Sequence, residues 1–192
     1  MPEYRRVHMP GGTYFFTVVT FDRQPLFADP ANVELLRDAI RAVRTERSFD
    51  FVAGVILPDH THFIWTLPEG DSDYSWRIGR MKVLFTRSLR ESCSHTAVAP
   101  NESRAKHGEA TVWQRRFWEH TIGDERDLEH HFDYLHFNPV KHGLCACPHA
   151  WPASSFAKWV GQKVYAGDWC CACHGGRVIR PYPDSLDASV GE

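Results

Sequence analysis

Two short stretches of the 192-residue chain carry side chains able to do chemistry together. The first is Leu57-Pro58-Asp59-His60-Thr61-His62-Phe63-Ile64-Trp65. The second is Asp133-Tyr134-Leu135-His136-Phe137-Asn138-Pro139-Val140-Lys141-His142-Gly143. His60 and His62 lie two apart in a β-patterned run, so on a strand both point to one face and Thr61 to the other. Two imidazoles on one rigid face are ready metal ligands, although a polar pair on a solvated strand has the same spacing. Tyr134 and Asn138 are four apart in a helical pattern and share a face, with His130 one turn before Tyr134. If that helix lies across the strand, Asn138 can supply a third, oxygen ligand. Two imidazoles and an amide oxygen suit Mg²⁺ or Mn²⁺ better than a structural zinc ion.

A divalent ion beside a tyrosine suggests phosphoryl transfer. The ion would polarise a non-bridging oxygen of a scissile phosphate while the phenol attacks phosphorus in line. The resulting covalent phosphodiester conserves bond energy, so strand transfer can follow without ATP. A phenol with a reference pKa of ~10 must lose its proton, and a metal with nearby Lys or Arg lowers that barrier. The plainer alternative is a core tyrosine whose hydroxyl is simply satisfied.

The elements that must position these groups follow from pattern. Thr13–Thr20 is aromatic and β-branched and predicts a central strand. Leu35, Leu36, Ala39, Ile40 and Val43 recur at helical spacing and predict a helix from Val33 to about Glu46, capped by Asp29 or Asn32. Phe49–Leu57 and His60–Leu67 read as a hairpin with the histidines near its turn. A helix from Trp76 to about Arg90 follows, capped by Ser75, and residues 92–110 read as a loop. Val112–His120 alternates aromatic and polar residues and predicts a fourth strand. A last helix begins at Asp124–Asp127, with acids at the positive end of its dipole, and should stop near Phe137 or Asn138 because of Pro139. The order strand, helix, strand, strand, helix, strand, helix predicts an α+β, ferredoxin-like fold: an antiparallel sheet of four to five strands with helices on one face.

Composition bounds the rest. The length fits one domain, here 1–160, followed by a tail over 161–192 expected to be poorly ordered. No apolar run approaches a membrane span and no secretory leader is visible, which predicts a cytoplasmic, nucleoid-associated protein with no membrane partner. The net charge is −2, yet Arg77–Arg116 holds nine Lys/Arg against three Glu, a local basic surface suited to phosphates or simply a solvated helix face. The six cysteines do not resemble a secreted disulfide framework. The tail sequence Cys170-Cys171-Ala172-Cys173-His174 offers zinc ligands, but its adjacent cysteines crowd the usual C-x-x-C knuckle, so an unstructured tail is the simpler expectation.

The motif Pro58-Asp59-His60-Thr61-His62, then Trp113-Gln114-Arg115-Arg116-Phe117-Trp118-Glu119-His120, then Tyr134–Gly143, resembles the REP-associated tyrosine transposases of the HUH nuclease superfamily. The likeness runs from about Tyr14 to Phe156. It implies an RNA-recognition-type ferredoxin fold, a divalent metal on His60 and His62 with Asn138 as third ligand, and Tyr134 as nucleophile. It also implies nicking and joining of single-stranded DNA at hairpins of repetitive extragenic palindromes, leaving a 5′-phosphotyrosine and a free 3′-OH. The middle residue of the histidine motif is usually bulky and apolar in that group; Thr61 departs from this and predicts a small packing loss.

Candidate DNA contacts are Arg5 and Arg6 on an N-terminal arm, Lys82 and Arg87 on the second helix, and Arg115 and Arg116 near the fourth strand. His120 and His136 are candidate supports around the metal. A catalytically silent hairpin DNA-binding protein is the alternative to the enzyme, and a water-using hydrolase with a structural Tyr134 a third reading. The chain could act as a monomer or a homodimer.

Overall fold

The computed structural model describes residues 8–92, 106, 110–172, 180–187 and 190. In chain order these form β1 (Thr13–Val19), α1 (Pro30–Glu46), β2 (Asp50–Ile56), β3 (His60–Thr66), α2 (Tyr74–Glu91), β4 (Trp118–Thr121), α3 (Glu125–Lys141), α4 (Phe156–Gly161) and α5 (Asp184–Asp187). The strands make one sheet in the order β2-β3-β1-β4, and every pair is antiparallel. This is the ferredoxin-like arrangement, with β1 central.

The apolar character of β1 has a direct cause: both its faces are covered. Tyr14, Phe16 and Val18 point to one side, where they join Phe63 and Trp65 of β3 against Val33, Leu36 and Val43 of α1 and Ile78, Met81 and Phe85 of α2. Phe15 points to the other side, with Ala53, Val55 and Ile64, against Phe132 and Leu135 of α3. The expectation of helices on one face therefore holds for α1 and α2 alone. The strands are apolar on both faces, and α3 covers the second one.

Other boundaries also differ from the sequence pattern. Asp29 caps α1 by accepting from Ala31 N, so the helix starts at Pro30, where a missing N–H costs nothing. Asp73, rather than Ser75, caps α2 by accepting from Trp76 N. The fourth strand is shorter than its alternation suggests. Trp113 makes one bridge with Thr20 and then packs between Phe27 and Phe85, which draws the chain out of the sheet until Trp118. Pro139 does not end α3. It sits in the last turn, and the stop is a Schellman motif: Gly143, at φ +67, donates to Val140 O, and Leu144 donates to Pro139 O.

His136 fixes α3 to the sheet. Its Nδ1–H donates to Phe132 O, so Nε2 accepts from the Ser155 hydroxyl 2.9 Å away. Ser155 Oγ in turn accepts from Gly54 N, and residues 153–155 hydrogen-bond along β2. His136 thus serves packing, not the support of a metal. Burial drives its pKa down to about 3. Below the unfolded value of ~6.5 the unfolded chain takes a proton that the folded chain refuses, so this group costs stability as pH falls from there toward 3, at about 1.4 kcal/mol per pH unit. Urea unfolding should lose about 2 kcal/mol more between pH 7 and 5 in the natural chain than in His136→Gln; equal losses would show that His136 protonates freely in the fold.

Candidate active site

The β2–β3 turn is tied down from three sides. Thr20 N and Oγ1 both donate to Asp59 O, Phe27 N donates to Pro58 O, and Leu57 N donates to His60 O. β3 therefore starts at His60 in a fixed register, with Val19 opposite His60 and Thr17 opposite His62. His60 and His62 are both buried, on the face of the sheet that α3 covers, with ring centroids 5.0 Å apart.

Two hydrogen bonds set the protonation of these rings. His60 Nδ1 lies 2.6 Å from Asp59 Oδ1. Burial by itself would raise the Asp59 carboxyl, but the bond and charge of His60 and the Arg23 guanidinium outweigh it and hold it at about 2. Asp59 is thus an ionised acceptor, and His60 Nδ1 carries the proton. His62 Nδ1 lies 3.0 Å from Thr17 Oγ1, whose own proton goes to the Val190 carbonyl at 2.6 Å. Thr17 can only accept from His62, so His62 Nδ1 is also protonated. Both imidazoles then hold their lone pair on Nε2, the condition for ligating a metal, with the second nitrogen anchored as metal-binding histidines usually are.

On α3, Tyr134 and Asn138 are fully buried one turn apart. The Tyr134 ring lies 5.3 Å from that of His62, and Phe15 packs edge-on against Tyr134 and stacks on His62. Lys141 Nζ donates to the Tyr134 hydroxyl at 3.1 Å and pairs with Asp187 at 3.0 Å. The terminal segment closes the site: Tyr182 packs on Tyr134 at 4.9 Å, and Asp187 and Val190 supply the contacts just named. The helix thus brings Tyr134 to the histidine pair across the strand, as the spacing required.

His60, His62, Tyr134 and Asn138 lie within a stretch that matches a known family. The sequence profile of the IS200-like transposases matches residues 9–138. The chain belongs to the REP-associated tyrosine transposases of that family. An Escherichia coli REP-associated tyrosine transposase is 40% identical over 169 residues, spanning 88% of this chain and 91% of the relative. A Haemophilus influenzae protein assigned to the same group is 42% identical, over 88% of this chain and 93% of its own. A solved structure described as a REP-associated tyrosine transposase bound to a REP hairpin is 39% identical, with a TM-score of 0.77, and covers 100% of this chain and 98% of that one.

The other candidate residues of this transposase fall in a different place. Lys82, Arg87 and Arg115 line a groove of about 750 Å³ between α2 and residues 110–115, which lead into β4, with Arg90 beside them and Trp113 in its wall. Lys82 donates to Gln114 O, and Arg87 pairs with Glu91. Arg116 is exposed next to Arg115. Arg5 and Arg6 lie outside the described residues.

Several neighbours were not singled out by the sequence. His142, at the end of α3, lies 5.2 Å from the His60 ring. His131, rather than His130, turns toward the sheet: it packs on Phe15, stacks on His120 at 4.4 Å, and shares Asp127 with it. Burial lowers the His131 pKa. The i, i+4 pair Asp127/His131 was the available signal. Lys141 sits within the quoted motif, but its contact with Tyr134 depends on the helix running past Pro139.

Thr61 points away from the histidines into the α1/α2 core, between Val18 and Ile56, and its buried hydroxyl has no hydrogen-bond partner among the described residues. Thr61→Val should raise stability by about 1 kcal/mol by removing that hydroxyl. The result to look for is a Tm higher by about 2–4 °C, and an unchanged or lower Tm would mean that Thr61 is satisfied.

Proposed function

We propose that the chain nicks and joins single-stranded DNA at repetitive extragenic palindrome hairpins through a covalent 5′-phosphotyrosine on Tyr134. Family membership supports a transposase-type cleaving and joining enzyme. The observation that carries the finer reading is the approach of Tyr134 to His62 at 5.3 Å, on a histidine pair whose Nδ1 atoms are held by Asp59 and Thr17.

His60 and His62 would hold the ion through Nε2, with Asn138 as the third ligand. The donor set favours Mg²⁺ or Mn²⁺ over a soft ion. When bound, the ion supplies charge at a non-bridging phosphate oxygen. Asp59 and Thr17 keep the two imidazoles in the ligating tautomer. The Tyr134 oxygen attacks phosphorus, the 3′ oxygen leaves, and the proton lost by the phenol is matched by the one the 3′-OH gains. The Lys141 ammonium balances the charge that develops on the phenol oxygen. The basic groove with Lys82, Arg87 and Arg115 offers phosphate contacts, and Trp113 an aromatic wall.

One observation favours the second reading, a hairpin-binding protein that does not cut. Tyr134 is fully buried beneath Tyr182, so cleavage requires Tyr182 to move off it. A denaturing gel with labelled palindromic single-stranded DNA separates the two. With Mn²⁺, a slow labelled band should form that is absent in EDTA and in Tyr134→Phe, while Tyr134→Phe still shifts the hairpin on a native gel. Cleavage by Tyr134→Phe would point to a water nucleophile, and a shift without any adduct to the silent binder.

Lys141 has its own test. Lys141→Met should slow adduct formation by about 10²-fold, the scale for losing one charged stabilising group, with hairpin affinity retained. An unchanged rate would confine Lys141 to pairing with Asp187.

A further inference from the structure

The loop after α3 and the turn after α4 bring a second set of metal-binding side chains together, remote in kind from the histidine pair. The loop reads Cys145-Ala146-Cys147-Pro148-His149. Pro148 opens a 3-10 turn in which Ala150 N donates to Cys147 O, and this folds His149 back over Cys147. The second segment, Asp168–Ala172, is locked to the first by a bond from Ala172 N to Ala146 O at 2.8 Å. Cys170 takes φ +52, in the left-handed region, and Cys171 N donates to Asp168 O. That kink sends the adjacent cysteines apart. Cys170 packs toward the α3-side core, and Cys171 Sγ comes to 3.3 Å from His149 Nδ1. The crowding expected of neighbouring cysteines does not arise.

We propose that Cys147, His149 and Cys171 form a structural zinc site that staples the loop after α3 to the turn after α4. Their three ligand atoms all lie within 4.8 Å of one another. A tetrahedral zinc ion places nitrogen and sulfur ligands about 3.5 Å apart and two sulfurs about 3.8 Å apart, so small side-chain rotations suffice to close the site. Two thiolates and an imidazole are soft donors that select zinc over the hard ions suited to His60, His62 and Asn138. Water can fill the fourth position of the tetrahedron, since the cluster itself supplies three ligands. Cys173 and His174 lie outside the described residues. The staple would hold the root of the segment that later lays Tyr182, Asp187 and Val190 on the Tyr134 site.

The test uses the full chain, purified under reducing conditions without a metal-affinity tag, with zinc measured by mass spectrometry of the digested protein. About one zinc per chain is expected in the natural chain, in Cys170→Ser and in the double variant His60→Ala/His62→Ala. Cys147→Ser and Cys171→Ser should each lose it. If those two variants do not fold, cobalt(II) added to the metal-stripped natural chain gives an independent reading. Thiolate-to-cobalt charge-transfer absorption in the near ultraviolet supports the site, and its absence overturns it. Zinc lost from His60→Ala/His62→Ala but kept by Cys171→Ser would overturn the proposal by placing the ion at the histidine pair. So would a reduced chain that binds no zinc, or an intact mass two daltons low from a Cys147–Cys171 disulfide.

Discussion

Everything at the candidate site depends on the antiparallel pairing of β1 with β3. A strand alternates its side chains, so one register sends His60, His62 and Ile64 toward α3 and Thr61, Phe63 and Trp65 toward α1 and α2. A slip of one residue would place the imidazoles in an apolar core and Thr61 or Phe63 against Tyr134. The register is held by the turn as well as by the ladder, since Thr20 grips Asp59 at the point where the chain reverses. Burial on both faces makes that choice costly to reverse, at about 1.5–3 kcal/mol for each large apolar side chain exposed.

The same register gives the histidines their chemistry. Thr17 faces His62 because it is that residue's cross-strand partner, and Asp59 reaches His60 because the turn is tight. Each polar side chain accepts the Nδ1 proton and leaves the lone pair on Nε2. The phenol arrives separately, on a helix anchored by His136 through Ser155 to β2. Three independent attachments, at the turn, on β1 and on the β2 edge, therefore converge on one small volume. Residues 180–187 and 190 then complete its lining, so the described part of the C-terminal segment belongs to the site in space although it is far from it in sequence.

The two proposed metal-binding constellations differ in chemistry in a way the fold explains. The histidine pair sits on a strand, where rigid spacing presents two imidazoles to a face that also receives an amide and a phenol. Cys147, His149 and Cys171 sit on connections, where a proline turn and a left-handed residue are free to bend the chain around a point. Strand geometry fixes the spacing of side chains that must act together, and loop geometry suits a closed staple.

Local pattern determined much of this protein. The element order, the central place of β1, the common face of His60 and His62, and the Tyr134/Asn138 pair all follow from periodicities of two and of three to four, which depend only on backbone geometry. Tertiary structure decided what periodicity cannot carry. It placed α3 on the face opposite α1 and α2, because a strand apolar on both sides does not say which helix covers which. It turned His131 inward instead of His130, since rotation of a helix about its axis is fixed by what it packs against. It drew Trp113 out of β4 into the core beside Phe27 and Phe85. It also set the tautomers of His60 and His62, which rest on hydrogen bonds accepted by Asp59 and Thr17, with Val190 O accepting from Thr17 in turn, and it brought Lys141, Asp187 and Tyr182 to the phenol. The contacts of Thr17 with Val190 and of Tyr134 with Tyr182 join residues far apart in the chain, and only packing brings them within the few ångströms over which such contacts act.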